Sequence, residues 1–181
     1  EAEFRRREEA FASELLERAR GGAIALGGGS VLSHRVREAL AQHTVVWLDV
    51  DPDTAWARVA GSDRPLAADR DRFDELHAER RRLYESLADA VLPADRELVR
   101  RALPALLALG DLPEGTRLAW GRSASGEYPV YVGRGLLASG FWPLDGRRFL
   151  VTDREGGRLY ADALEPLARR VEVEPGERSK T

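Results

Sequence analysis

Four apolar residues running straight into three glycines, Ala23-Ile24-Ala25-Leu26-Gly27-Gly28-Gly29-Ser30, constrain the fold of this chain more than any other stretch. A short apolar run that ends in glycine reads as a buried parallel strand followed to its carboxyl end. In open α/β sheets that end is where ligands sit. Three glycines also remove every side chain, so a ligand can approach the backbone N–H groups closely. A plain strand-to-helix turn would use the same residues, and the rest of the chain has to decide between the two.

The flanking pattern favours an α/β protein. Residues 2–20 carry Phe4, Phe11, Leu15 and Leu16 at helical spacing. After the glycines, Ser33 is placed to cap a short helix with Val36 and Leu40 on its inner face. Residues 44–50 are rich in β-branched residues and nearly continuous in apolar character, a second buried strand. Asp51-Pro52 then starts a helix with Asp as N-cap and Pro in the first turn. A polar segment over 61–66, placed where a lid could be, separates it from the clearest helix of the chain, 70–89. Residues 90–92 form a third strand, and Asp95 caps a helix in which Pro104 is expected to kink or divide the chain. Strand–helix alternation of this kind argues for a parallel sheet covered by helices.

Residues 110–117, with two glycines and a proline, give the strongest linker signal. Beyond them the pattern becomes a hairpin (117–120 and 128–132). A strand at 148–153, a helix through Leu159, Ala163 and Leu167, and a strand at 170–173 follow. The expected division is therefore one unit over 1–109, a linker over 110–117 and a second unit over 118–181.

Charge and composition exclude several functions. The 181 residues are 43% hydrophobic with a net charge of −3, so no basic excess points to nucleic acid or an anionic membrane. Cysteine is absent, which rules out thiolate catalysis and thiolate metal sites. No apolar run reaches transmembrane length and no signal peptide opens the chain, so a cytoplasmic protein is expected. Lys180 is the sole lysine; an anion site built here would use arginine forks. His34, His43 and His77 are not spaced as a metal site and read as surface or structural residues.

Two charges fall on apolar faces. Glu8 lies on the stripe of the first helix, three residues after Arg5, close enough to pair with it. It is either a boundary residue whose stem reaches solvent or half of a pair that presents a guanidinium to a ligand. Arg80 lies on the stripe of the helix over 70–89, between Leu76 and Leu83, where a lone cation is costly without an anion. Its neighbours Arg81 and Arg82 fall outside the stripe and read as solvated charge.

Four features in order now make residues 1 to about 108 resemble the later two-thirds of shikimate kinase, a P-loop small-molecule kinase. They are Phe4-Arg5-x-x-Glu8, the apolar run ending in Gly27-Gly28-Gly29, Arg64-Pro65-Leu66, and Arg80 four residues before Tyr84. Residues 118–181 resemble the start of 3-dehydroquinate synthase through Tyr128-Pro129-Val130, Val132-Gly133, Leu150-Val151-Thr152-Asp153 and Pro175-Gly176-Glu177-x-x-Lys180. The resemblances imply a partial three-layer P-loop kinase sheet, followed by the beginning of a Rossmann-like NAD-binding α/β domain with a leading hairpin. Both families serve the shikimate pathway, which suggests a piece of a fused bifunctional enzyme.

The kinase resemblance implies that Arg5 and Arg80 hold the shikimate carboxylate, a task suited to bidentate arginine. It also implies that the backbone of Gly27, Gly28 and Gly29 contacts the same substrate. Arg64 would close over the transferring phosphoryl group and Arg58 would pack on the adenine of ATP, with Mg²⁺ as the accompanying ion. The synthase resemblance implies NAD⁺ and a divalent metal, zinc or cobalt, acting on a seven-carbon sugar phosphate (DAHP). Asp153, Glu177 and Lys180 would lie around the adenosine ribose, the metal ligands would lie outside these residues, and a homodimer through this region is left open. No G-x-x-x-x-G-K-[ST] sequence occurs, so the phosphate-cradling loop is expected before residue 1 and the chain by itself is not expected to phosphorylate shikimate. Two alternatives stand beside this: another P-loop small-molecule kinase with an unrelated tail, and a non-catalytic binding module.

Overall fold

The computed structural model describes residues 2–60, 69–143 and 146–176. Helix α1 (Ala2–Arg18) packs on α2 (His34–Leu40) through Ala12, Leu16, Val36 and Leu40, with Val31 of an intervening 3₁₀ turn (Ser30–Leu32). Strand β1 (Val46–Asp49) leads through α3 (Pro52–Val59) and α4 (Arg70–Leu87) to β2 (Ala90–Pro93). Helix α5 (Arg96–Ala108) returns the chain to β3 (Arg117–Ser123), which turns back as β4 (Gly126–Val132). A smaller unit follows: β5 (Phe149–Thr152), α6 (Arg154–Tyr160) and β6 (Arg169–Glu172).

Side-chain caps define most helix starts. Ser33, Asp51 and Asp95 each accept from the backbone N–H three residues on, as the sequence predicts. Asp69 and Asp153 do the same for α4 and α6. Hydrogen bonds from Thr54, on the side chain foremost, hold the exposed Asp51 carboxyl below its ordinary range. Pro104 sits inside α5 without dividing it.

Parallel pairing joins β1 to β2 and β2 to β3, and the β3–β4 hairpin is antiparallel, giving the sheet order β1-β2-β3-β4. This is a mixed α/β fold with a parallel sheet and covering helices, consistent with a P-loop kinase. Strands β5 and β6 pair in parallel as a separate two-stranded sheet.

Several expectations are corrected. Residues 23–26 are not a strand: Ile24 and Leu26 pack against the α1–α2 cluster, but the segment joins no sheet. An apolar run becomes a strand only where a neighbour completes its ladder, and periodicity cannot supply one. The buried face of α1 is Ala12, Ser13 and Leu16, while Phe4 and Phe11 are exposed. The segment over 110–117 begins within a 3₁₀ turn (Leu109–Asp111). It leads into β3, whose Leu118 and Ala119 pair with Ala90 and Val91, and Leu118 N–H donates to Asp89 C=O at 2.8 Å. Leu118 is buried, and Trp120 packs on Leu92, Leu98 and Ala102 beneath α5. The helix expected through Leu167 also stops early, with α6 ending at Tyr160 and a 3₁₀ turn (Asp162–Leu164) following.

Candidate functional site

The 27–29 segment turns immediately into the 3₁₀ turn, with Ser30 N–H donating to Gly27 C=O at 2.9 Å. A different side chain closes on each glycine. Glu8 Oε1 would lie 2.8 Å from a Cβ on Gly27, and Tyr84 Oη 2.7 Å from one on Gly28. On Gly29 a Cβ would collide with Arg5 Nη1. A side chain on any of the three would have to displace the neighbour that closes on it, and none of the three has a positive φ.

The first of these partners comes from α1. Arg5 Nη1 donates to Glu8 Oε2 at 2.8 Å, the pairing that the i,i+3 spacing predicts. The other oxygen, Glu8 Oε1, accepts from Ser30 Oγ at 3.0 Å. Glu8 therefore braces the guanidinium and the glycine turn together, and its half-buried carboxylate is satisfied on both sides. The bond to Ser30 spans 22 residues, which no local spacing could reveal.

The second partner comes from α4. Tyr84 Oη donates to Gly28 C=O at 2.7 Å. Arg80, four residues earlier, lies on the same helical face. Its Nε is buried without a hydrogen-bond partner, while the rest of its guanidinium interacts with the Tyr84 phenol by charge and by a side-chain hydrogen bond. Burial raises the Tyr84 phenol above its ordinary value while the nearby Arg80 charge opposes the rise. The phenol is thus a neutral donor over the ordinary pH range.

Arg80 and Tyr84 line a cleft of about 310 Å³ at the carboxyl end of β1, together with Trp47, Asp49, Arg58 and His77. Arg81 corrects its reading as solvated charge. It donates from Nη1 and Nη2 to the two oxygens of Asp49 at 3.1 and 3.2 Å, and its guanidinium stands 5.0 Å from the Trp47 ring centroid. Its partner is 32 residues away, beyond any helical periodicity. His77 bonds to Val50 C=O at 3.2 Å and His43 to Leu16 C=O at 3.0 Å, both structural contacts.

The structure brings Arg5, Gly27, Gly28 and Gly29 together, and sets Arg80 and Arg58 on one cleft whose Tyr84 touches Gly28. Arg64, Glu177 and Lys180 lie outside the described residues. Asp153 is far along the chain in the smaller unit, where its Oδ1 accepts from Gly156 N–H at 2.7 Å and caps α6. Among the described residues, no group of three or more His, Asp or Glu side chains could hold a metal ion, and no helix is long and apolar enough to cross a membrane.

Comparison with known proteins speaks to the same region of the chain. Residues 1–108 match the family model described as shikimate kinase. The shikimate kinase of Corynebacterium jeikeium is 36% identical over 111 residues, covering 59% of this chain and 59% of its own length. That of Mycobacterium avium is 42% identical over 100 residues, covering 53% and 56%. That of Rhodococcus jostii is 35% identical over 112 residues, covering 60% and 66%. The chain thus spans less than two-thirds of the length of these relatives, and the comparisons carry no support for the synthase resemblance. With more than half of its residues under the family model, the chain belongs to the shikimate kinase family.

Proposed function

We propose that residues 1–109 form the shikimate-binding portion of a kinase that transfers the γ-phosphoryl group of ATP to shikimate. The observation that carries this reading is Arg80 lining a cleft whose Tyr84 touches the glycine segment that Arg5 abuts. A small carboxylate in the cleft would pair with the Arg80 guanidinium, and a second guanidinium from Arg5 would fix its orientation.

In this reading Arg5, held by Glu8, and Arg80 bind the carboxylate, while the backbone of residues 27–29 contacts the ring hydroxyls. Arg58 faces the nucleotide from the same cleft and Arg64 closes over the moving phosphoryl group. A shikimate hydroxyl oxygen bonds to the γ-phosphorus as the bond from that phosphorus to its bridging oxygen breaks. ADP leaves with the bridging oxygen and the hydroxyl proton passes to solvent. Electrostatic positioning is the protein's main contribution to such a transfer. In the protein that carries this chain, Arg80→Ala should raise the shikimate KM roughly 10- to 100-fold, the loss expected for charge-assisted hydrogen bonds, and change the ATP KM little. Equal losses for both substrates would remove Arg80 from the carboxylate site.

A second proposal concerns residues 118–181, set off by the segment 110–117: that they begin a 3-dehydroquinate synthase unit using NAD⁺ and a zinc or cobalt ion on DAHP. The parallel β5–α6–β6 unit, with Asp153 at the end of its first strand, supports an α/β nucleotide-binding start. Asp153, Glu177 and Lys180 would then face the ribose, and dimerisation would run through this region. Formation of 3-dehydroquinate by the protein that carries this chain, dependent on NAD⁺ and abolished by chelators, is the expected result. Its absence in a protein with kinase activity would reject the fusion.

A further inference from the structure

We propose that Tyr84 is a positioning residue that locks the Gly28–Gly29 peptide in one orientation, so that Gly29 N–H is presented to the bound acid. The substrate named here rests on the shikimate-site reading above; the lock itself does not.

A peptide between two glycines is easily flipped, because neither residue restricts the neighbouring torsions. What stops the flip is a hydrogen bond to one end of it. Tyr84 Oη donates to Gly28 C=O at 2.7 Å. In a planar trans peptide the C=O and the following N–H point in opposite directions. With Gly28 C=O turned to the phenol, Gly29 N–H is turned away from it. The donor direction at Gly29 is therefore set by a tyrosine 56 residues from Gly28 in the chain.

The phenol can act as a lock because it is itself held. The Tyr84 ring packs against the α1–α2 cluster with Leu83 and Leu87, and the Trp47 ring of β1 lies 6.2 Å away. Its position is therefore fixed before any ligand arrives, as a pre-organised donor requires. Burial keeps it protonated. A Cβ on Gly28 would lie 2.7 Å from the hydroxyl and would push it from its present place. Arg80 shares the helical face one turn earlier, so a single element sets both the guanidinium and the peptide dipole.

The test uses the whole chain, ¹⁵N-labelled, as wild type and as Tyr84→Phe, which removes the hydroxyl and keeps the ring. Without ligand, the variant should shift the Gly28 and Gly29 amide resonances and speed hydrogen exchange at residues 28–30. Titrated with shikimate, it should bind about fivefold more weakly, the usual worth of one hydrogen bond, and its Gly29 amide should no longer respond. A structural role alone would lower the melting temperature without abolishing the Gly29 response. Unchanged ligand-free Gly28 and Gly29 resonances would overturn the lock. Altered resonances in a protein whose wild type does not bind shikimate would keep the lock and overturn the substrate reading. Should Tyr84→Phe fail to fold, Gly28→Ala displaces the hydroxyl from the other side and must give the same Gly29 signature; its absence would equally reject the lock.

Discussion

A methyl group on Gly29 would meet the Arg5 guanidinium, on Gly27 the Glu8 carboxylate, and on Gly28 the Tyr84 hydroxyl. At the scale of single residues the glycine run is thus a packing surface for three side chains from two helices, and only then a floor for a ligand. Gly29→Ala should push the Arg5 guanidinium from its place and weaken shikimate binding roughly tenfold, the order of loss for a displaced charge-assisted bond. Gly21→Ala, where a Cβ would meet nothing within 4 Å, serves as the control and should bind as wild type. Comparable affinities in both variants, read by titration, would show that Arg5 is not tied to the glycines. Arg5–Glu8 and the misplaced Arg80 were legible in the sequence because helical spacing exposes a charge on an apolar stripe. Glu8–Ser30, Tyr84–Gly28 and Arg81–Asp49 were not, because each joins residues 22 or more apart.

At the scale of elements, the β3–β4 hairpin shows how a short segment is held against its neighbours. Glu127 on β4 accepts from Arg122 on β3 at 2.6 and 3.0 Å and from Arg101 on α5 at 2.8 Å, with its side chain only 13% exposed. Tyr131 Oη donates to Ala105 C=O at 3.0 Å, meeting a carbonyl in the last turn of α5. Pro129 lies on the edge strand, where a missing N–H is tolerated. The Arg122 hydrogen bond, aided by Trp120 and Arg101 against the cost of desolvation, holds the Glu127 carboxyl below its ordinary value. A carboxyl lowered in the folded state stabilises above its unfolded value, and that contribution is lost as pH falls through the folded one. Thermal melts of wild type should therefore lose stability on acidification below about pH 4.5, the usual glutamate range, and Glu127→Gln should show a smaller loss over that window. Parallel pH profiles in the two proteins would mean that the cluster does not hold the hairpin.

At the scale of the whole molecule, the sheet runs across the boundary that composition marks. The glycine- and proline-rich segment 110–117 separates the family-matched residues from the rest, yet β3 continues the β2 edge through backbone bonds and through Leu118 and Trp120. An edge strand offers unpaired N–H and C=O groups to whatever strand lies near, and here the next segment of the same chain takes them. The family-matched core is thereby closed by residues beyond the match. The smaller β5–β6 sheet shares none of this ladder.

Amino-acid order alone determined what depends on residues three or four apart. That covers the Ser33, Asp51 and Asp95 caps, most helix and strand positions, the Arg5–Glu8 pair, the anomalous Arg80 and the family to which these belong. Tertiary structure alone decided what depends on a distant neighbour. It withheld a ladder from residues 23–26, buried Ala12 and Ser13 beside Leu16 of α1 while leaving Phe4 and Phe11 exposed, and gave the β3–β4 hairpin to the β2 edge. It also aimed Tyr84 at Gly28. The physical reason is range: capping and i,i+3 pairing are settled within one helical turn, whereas a strand, a buried face or a locked peptide exists only once a remote segment has arrived to complete it.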